Sequence, residues 1–288
     1  MCQATTLLSP KDNSGTLSEK YYGQKQFNSG SAECRKDIEI GLLFMAVVYG
    51  LVLYINPPVS PSAQFCPSNE DHCRRPDLLA YKITSAISMI YMASLGVRNW
   101  YFSRHVIKKS NSTPEDRLFG YLKAANDQNV AILCYQIWDF CVSLTIPEHF
   151  ETVFLVHHAL AGITAWFSLE YQMATYYSVF YGGCSEISSI FLVWADADQF
   201  FPPTQGSIFD FLILFCKGMF VLSFFTYRVY GWIRQLFPLW NDILHTLKTG
   251  SAEKHRPRKY KFLMYFLILR VFLELYNCFG LVKSLERQ

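Results

Sequence analysis

Apolar residues fall in long blocks along this chain rather than at every second position. Seven stretches stand out: 38–56, 78–102, 129–146, 150–169, 174–195, 208–233 and 260–282. Each is about the ~20 residues that a helix rising ~1.5 Å per residue needs to cross a ~30 Å hydrocarbon core. In lipid every backbone N–H and C=O must be paired inside the structure, so a spanning segment is either a helix or a strand of a closed barrel. The period-2 alternation of barrel strands is missing from all seven, and the pattern predicts helices. The expected fold is therefore all-α, a polytopic membrane protein of seven transmembrane helices. The stretch 150–169 is the weakest, because His157 and His158 interrupt it.

Between the blocks lie polar segments of unequal length. Residues 1–37 are rich in Ser, Gly and Lys and predict a disordered tail. No charged start, apolar core and small-residue cleavage site precede the first block, so residues 38–56 are expected to serve as an uncleaved targeting signal. The expected division is a tail over 1–37, a first helix with its loop over 38–77, a helical domain over 78–282 and a short tail over 283–288.

Composition agrees with this reading, with 51% apolar and 17% aromatic residues against 17% charged. The net charge of +3 says little, but its distribution gives an orientation. Lys and Arg number five in the tail, five in loop 103–128 and seven in loop 234–261. The segments on the opposite side carry only Arg74, Arg75, Lys283 and Arg287. The positive-inside rule then places the N-terminus in the cytosol and the C-terminus across the membrane. Asn111-Ser112-Thr113 matches a glycosylation acceptor but falls on the cytosolic side. Cys66 and Cys73, in the non-cytosolic loop QFCPSNEDHCRRPD, either pair in an oxidising lumen or remain thiols. With His72 they fall short of the four ligands of a structural zinc site, and no metal or other cofactor is expected. The basic loop 234–261 lacks interleaved aromatic residues, and nucleic acid is not expected as a partner.

Ionisable groups inside the blocks carry the candidate chemistry, since each costs a few kcal/mol in lipid unless it faces an interior or a wet cavity. They are Asp139, His157, His158, Glu186, Lys217, Arg270 and Glu274, with Arg228 nearer an end. The third and fourth blocks form a hairpin around Pro147-Glu148-His149, and Asp139 and His157 both lie ~12 Å below that turn. Counting from the other turns brings Glu186, Lys217, Arg270 and Glu274 near the same layer, which reads as the floor of an internal cavity. Arg270 and Glu274, at i and i+4, also suit mutual neutralisation, and Lys217 can extend its ammonium towards water. Adjacent helical residues diverge by ~100°, so one histidine can face the cavity while its neighbour meets a supporting partner. Asp139 is the natural group to hold such an imidazole in one tautomer. Ala159, Ala161 and Gly162 leave room beside the rings.

Four segments in order carry a family likeness: YQIWD (135–139), HFETVFLVHH (149–158), YGGCSEISSIFL (181–192) and FFTYRVYGW (224–232). Together they resemble the TLC (TRAM–Lag1–CLN8) family of membrane domains over roughly 78–282. The resemblance implies a six-helix barrel around a lipid-sized cavity, formed by the second to seventh spans. It implies the endoplasmic reticulum as the compartment, with the plasma membrane as an alternative. Ceramide synthases of that family transfer an acyl chain from acyl-CoA to a sphingoid amine, and by similarity His157 and His158 take the place of their catalytic pair. This chain lacks their later His-Asp element, reading GGCSEISS instead, and so resembles the branch outside the synthases.

Two functions follow. In the first the chain acts on lipids by acyl transfer or phospholipid or sphingolipid remodelling. His157, His158 and Asp139 are then catalytic, and Glu186, Lys217, Arg228, Arg270 and Glu274 bind a lipid or acyl-CoA substrate. In the second the same cavity belongs to a non-catalytic lipid-binding or regulatory membrane protein. A heptahelical receptor or retinal-type proton carrier fits less well, because the N-terminus is expected inside and the last block has no central lysine.

Overall fold

The structure is a computed structural model that describes residues 30–55, 75–103, 112–195, 197, 206–249, 265, 266 and 268. Among these residues all regular structure is helical. A short turn at Gly30–Glu33 leads into α1 (Arg35–Ile55), and α2 (Pro76–Val97) continues through a π-helical turn at Arg98–Phe102. The short α3 (Pro114–Phe119) precedes α4 (Lys123–Ser143) and α5 (Thr152–Tyr171), which are joined by a 3-10 turn at Pro147–His149. Next come α6 (Thr175–Val179), a π turn at Phe180–Cys184 and α7 (Glu186–Ala195). The last long run is α8 (Ile208–Ser223), a π stretch over Phe224–Gly231 and α9 (Trp232–Thr249).

Three of these helical runs, Arg35–Ile55, Pro76–Phe102 and Ile208–Thr249, have the length and hydropathy to cross a membrane. The expected seventh block lies almost wholly outside the described residues, as do Arg270, Glu274, Cys66 and Cys73.

The block expected to end at 233 does not give way to a loop. Helix continues to Thr249, making one run of 42 residues. The reason is a second periodicity, because Gln235, Leu239, Asp242, Ile243 and Thr246 recur at helical spacing and bury one face of α9. Such a run spans ~63 Å, about twice the ~30 Å hydrocarbon core, so part of it lies beyond the apolar layer.

Helix α2 is central. It packs against α1, α4, α7 and the π turn before α7, while α4 pairs with α5 and α7 with α8. Backbone meets backbone at Gly96 and Gly183: a Cβ on Gly96 would lie 2.4 Å from the Gly183 carbonyl carbon. No other residue type allows that approach.

Ion pairs fasten the two ends of the bundle. Arg75, at the start of α2, donates to Asp77 at 2.8 Å and to Glu148 of the 3-10 turn at 2.5 Å. The Arg75 hydrogen bond holds the Glu148 carboxyl below the usual carboxylate range, against a smaller opposing effect of burial. A depressed folded value means that the contact stabilises fully above the unfolded value and is lost as pH falls through the folded one. Thermal melts of purified protein between pH 7 and pH 3 should therefore lose stability on the acid side, and Glu148→Gln should flatten that slope. Equal acid slopes for wild type and variant would refute the linkage.

Candidate functional site around His158 and Asp139

Helix α4 carries Gln136 and Asp139 three residues apart, hence on one face, and that face meets α5 at His158. His158 Nδ1 lies 2.6 Å from Asp139 Oδ2 and 2.6 Å from Gln136 Oε1. Two acceptor oxygens at that range would repel a ring lone pair, so Nδ1 carries a hydrogen. That hydrogen is aligned with Gln136, whereas Asp139 Oδ2 is close without an aligned donor and acts on the ring through its charge. In the neutral imidazole the lone pair is then on Nε2.

Asp139 is fully buried, and its other oxygen accepts from Tyr81 at 2.5 Å and from Ser143 at 3.4 Å. Tyr81 is in turn fixed between the stacked ring of Trp138, 5.7 Å away, and the ring of His149, 4.3 Å away. Rings from α2 and α4 thus hold the carboxylate against the imidazole. His157 is half-buried, and its ring stands at 88° to that of His158 with 5.4 Å between centroids. The two histidines diverge as consecutive helical positions must.

A second polar cluster joins α7 to the π stretch after α8. Arg228 Nη2 donates to both Glu186 oxygens at 3.3 Å and to Ser189 Oγ at 2.7 Å. Its Nε donates to Ser188 Oγ at 3.0 Å. A π-helical stretch shifts side chains off the regular helical face and often marks functional positions, and here it carries Arg228. Lys217 is exposed on α8, in a stretch that also exposes Leu214, Phe215 and Val221.

Among the polar residues that escaped the sequence reading are Gln136, Tyr81 and Lys82. Gln136 and Tyr81 support the His158–Asp139 pair, and Lys82 donates to the Val193 carbonyl at 3.0 Å. The position of Gln136, three residues before Asp139, was a usable signal. Tyr81 and Lys82 sit close to the start of their block, where aromatic and basic residues ordinarily mark the interface.

Beside this site, residues of α4 and α5 line an open groove of about 320 Å³. Its walls include Leu133, Ile137, Cys141, His158, Ile163 and Trp166. A Cβ on Gly162 would come within 3.3 Å of Gln136 Cβ.

No curated protein and no solved structure matches the chain. A family profile does: that of the TLC domain matches residues 79–283. Matched over most of its length and built from membrane-length apolar helices, the chain belongs to the TLC-domain family, membrane proteins of lipid biology.

Proposed function

We propose that the protein is a lipid acyltransferase or remodelling enzyme with His158 as its base. The observation that supports it is the placement of His158 Nδ1 at 2.6 Å from both Gln136 and Asp139, which leaves Nε2 to receive a proton. Nε2 takes the proton of a lipid hydroxyl or amine as that oxygen or nitrogen bonds to the acyl carbonyl carbon of an ester or thioester donor. When the tetrahedral intermediate collapses, the old acyl bond breaks and the leaving oxygen or sulfur takes the proton back from the imidazolium. Asp139 stabilises the transient cation, and Gln136 fixes the ring. His157 supports the ring beside it, and Arg228 with Glu186 faces the polar head of a substrate. Arg270 and Glu274 are assigned to the same polar surroundings by their sequence depth alone, whereas Lys217 is exposed among apolar residues of α8. In this reading seven helices span the membrane of the endoplasmic reticulum, the second to seventh enclose the cavity, and the N-terminus is cytosolic. The lack of a His-Asp element in residues 181–192 supports a reading outside the ceramide synthases.

Acyl transfer in membranes from expressing cells, with lipid profiles beside it, tests this. Wild type should shift the acyl composition of at least one lipid class, and the double substitution His157→Ala with His158→Ala should not. Identical profiles for the two would remove the enzyme.

One observation favours a non-catalytic lipid-binding or regulatory protein instead. Arg228 is already neutralised by Glu186 and bonded to two serines, which leaves little charge for a phosphate. That reading gains if the same lipid co-purifies with wild type and with the double-histidine variant while no acyl donor is turned over.

A further inference from the structure

Helix α9 presents three faces. Gln235, Leu239, Asp242, Ile243 and Thr246 are buried against the bundle. Ile233, Phe237 and Leu244 are 46%, 66% and 41% exposed, and the half-buried Trp240 falls between them. Steps of four, three and four residues put these four side chains on one stripe. Arg234, Asn241, His245 and Lys248 follow at steps of seven, four and three, which gives a second exposed stripe beside the first. The charge of that stripe is uncompensated. Asp242, the only carboxylate of α9, is buried and accepts from Arg117 and Tyr177, and no described residue pairs with Arg234 or Lys248.

Exposed apolar residues run from Ile208 to Phe225, along α8 and into the π stretch, ~27 Å of helix against a hydrocarbon core of ~30 Å. Tyr230 and Trp232 then stand where aromatic residues gather at a membrane boundary. Continued along the same axis, Phe237 and Leu244 would lie ~18 and ~28 Å past Phe225, beyond the ~5–8 Å headgroup layer and in bulk water. Two features let the helix leave that axis. Pro238 removes a backbone hydrogen bond inside α9, and the π stretch interrupts the regular ladder before it.

We infer that α9 lies along the membrane boundary as an interfacial helix, and that its basic stripe binds the headgroups of anionic phospholipids in that leaflet. Ile233, Phe237, Trp240 and Leu244 dip into the acyl edge, while Arg234 and Lys248 carry their charges on apolar stems to the phosphates. A zwitterionic headgroup has no net charge to offer these cations. An anionic one supplies the missing counter-charge, and this selects the lipid class. The inference needs the chain's place in a membrane but no catalysis, so it is independent of the proposed enzyme.

The test has two arms, both on the full chain in nanodiscs. Benzoylphenylalanine placed at position 237 or 244 should crosslink to lipid on irradiation. Crosslinks to residues 250–288 or to a second copy of the chain, or no adduct at all, would overturn the interfacial placement. In discs of mixed phosphatidylserine and phosphatidylcholine, the lipids retained after mild extraction are counted by native mass spectrometry. Phosphatidylserine should be enriched on the wild type, and Arg234→Gln or Lys248→Gln should each lower that enrichment about fivefold, the effect of one cation at an anionic surface. Lys123→Gln should leave it unchanged, because that ammonium is already paired with Asp127 at 2.9 Å. Arg234 and Lys248 are exposed, so the fold persists in both variants. Equal retention of the two lipids by the wild type would overturn the anionic-lipid site, as would an enrichment that survives both substitutions together.

Discussion

His158→Ala should lower acyl transfer by about 10²–10⁴-fold, the range for loss of a positioned general base, while the fold persists. His157→Ala should cost less than about tenfold, because a ring that supports its neighbour by packing carries no proton in the reaction. The difference arises at one contact: Nδ1 of His158, buried with 8% exposure, is held by Gln136 and lies against Asp139. Asp139→Asn should lower kcat more than it changes KM, since the carboxylate matters most when the imidazolium forms. Gln136→Ala should reduce kcat by a smaller factor, because the ring loses its aligned acceptor but keeps the charge beside it. Single-turnover assays on protein purified with lipid would separate these effects. Equal losses for His157→Ala and His158→Ala would mean that the ring holding the proton had been wrongly chosen. Full activity in His158→Ala would remove the base altogether.

The largest effect on stability is expected where α3, α6 and α9 meet. Arg117 donates to Asp242 through Nε at 2.7 Å and through Nη2 at 2.5 Å, and Tyr177 donates to the same carboxylate. The Asp242 side chain is 5% exposed and that of Arg117 is 25% exposed. Removing one member of a buried pair leaves an uncompensated charge and costs about 3–5 kcal/mol; the partial exposure of Arg117 argues for about 2–4 here. Arg117→Ala should therefore lower the melting temperature markedly. Asp242→Leu combined with Arg117→Met should recover much of the loss, because a packed apolar pair carries no desolvation penalty. A melting temperature for Arg117→Ala within a degree or so of wild type would show that water reaches the pair. This contact also explains why α9 is ordered as helix: its buried face closes over Leu118 and Arg117 through Leu239, Asp242 and Ile243.

The site was legible in outline and not in its contacts. Asp139 and the two histidines could be placed near one depth by counting residues from a turn, since helical rise is constant. Counting along a helix does not give its rotation about its own axis. Which histidine meets the carboxylate, and that Gln136 shares its Nδ1, depends on how α4 and α5 face one another. The pairing of Arg228 with Glu186 was hidden for a further reason. A π-helical stretch shifts every later side chain away from its regular position, so an ideal helix misplaces Arg228.

By itself, then, the sequence determined the helical class, the membrane-length blocks and the candidate residues, because hydropathy and spacing are local properties that lipid converts directly into helices. Tertiary structure alone decided that His158 is the ring held at Asp139, that Arg228 spends its charge on Glu186, and that helix runs on to Thr249 once α9 has a surface on which to bury its face. Each of those outcomes is a contact between segments distant in sequence, and its energy exists only after the helices have packed.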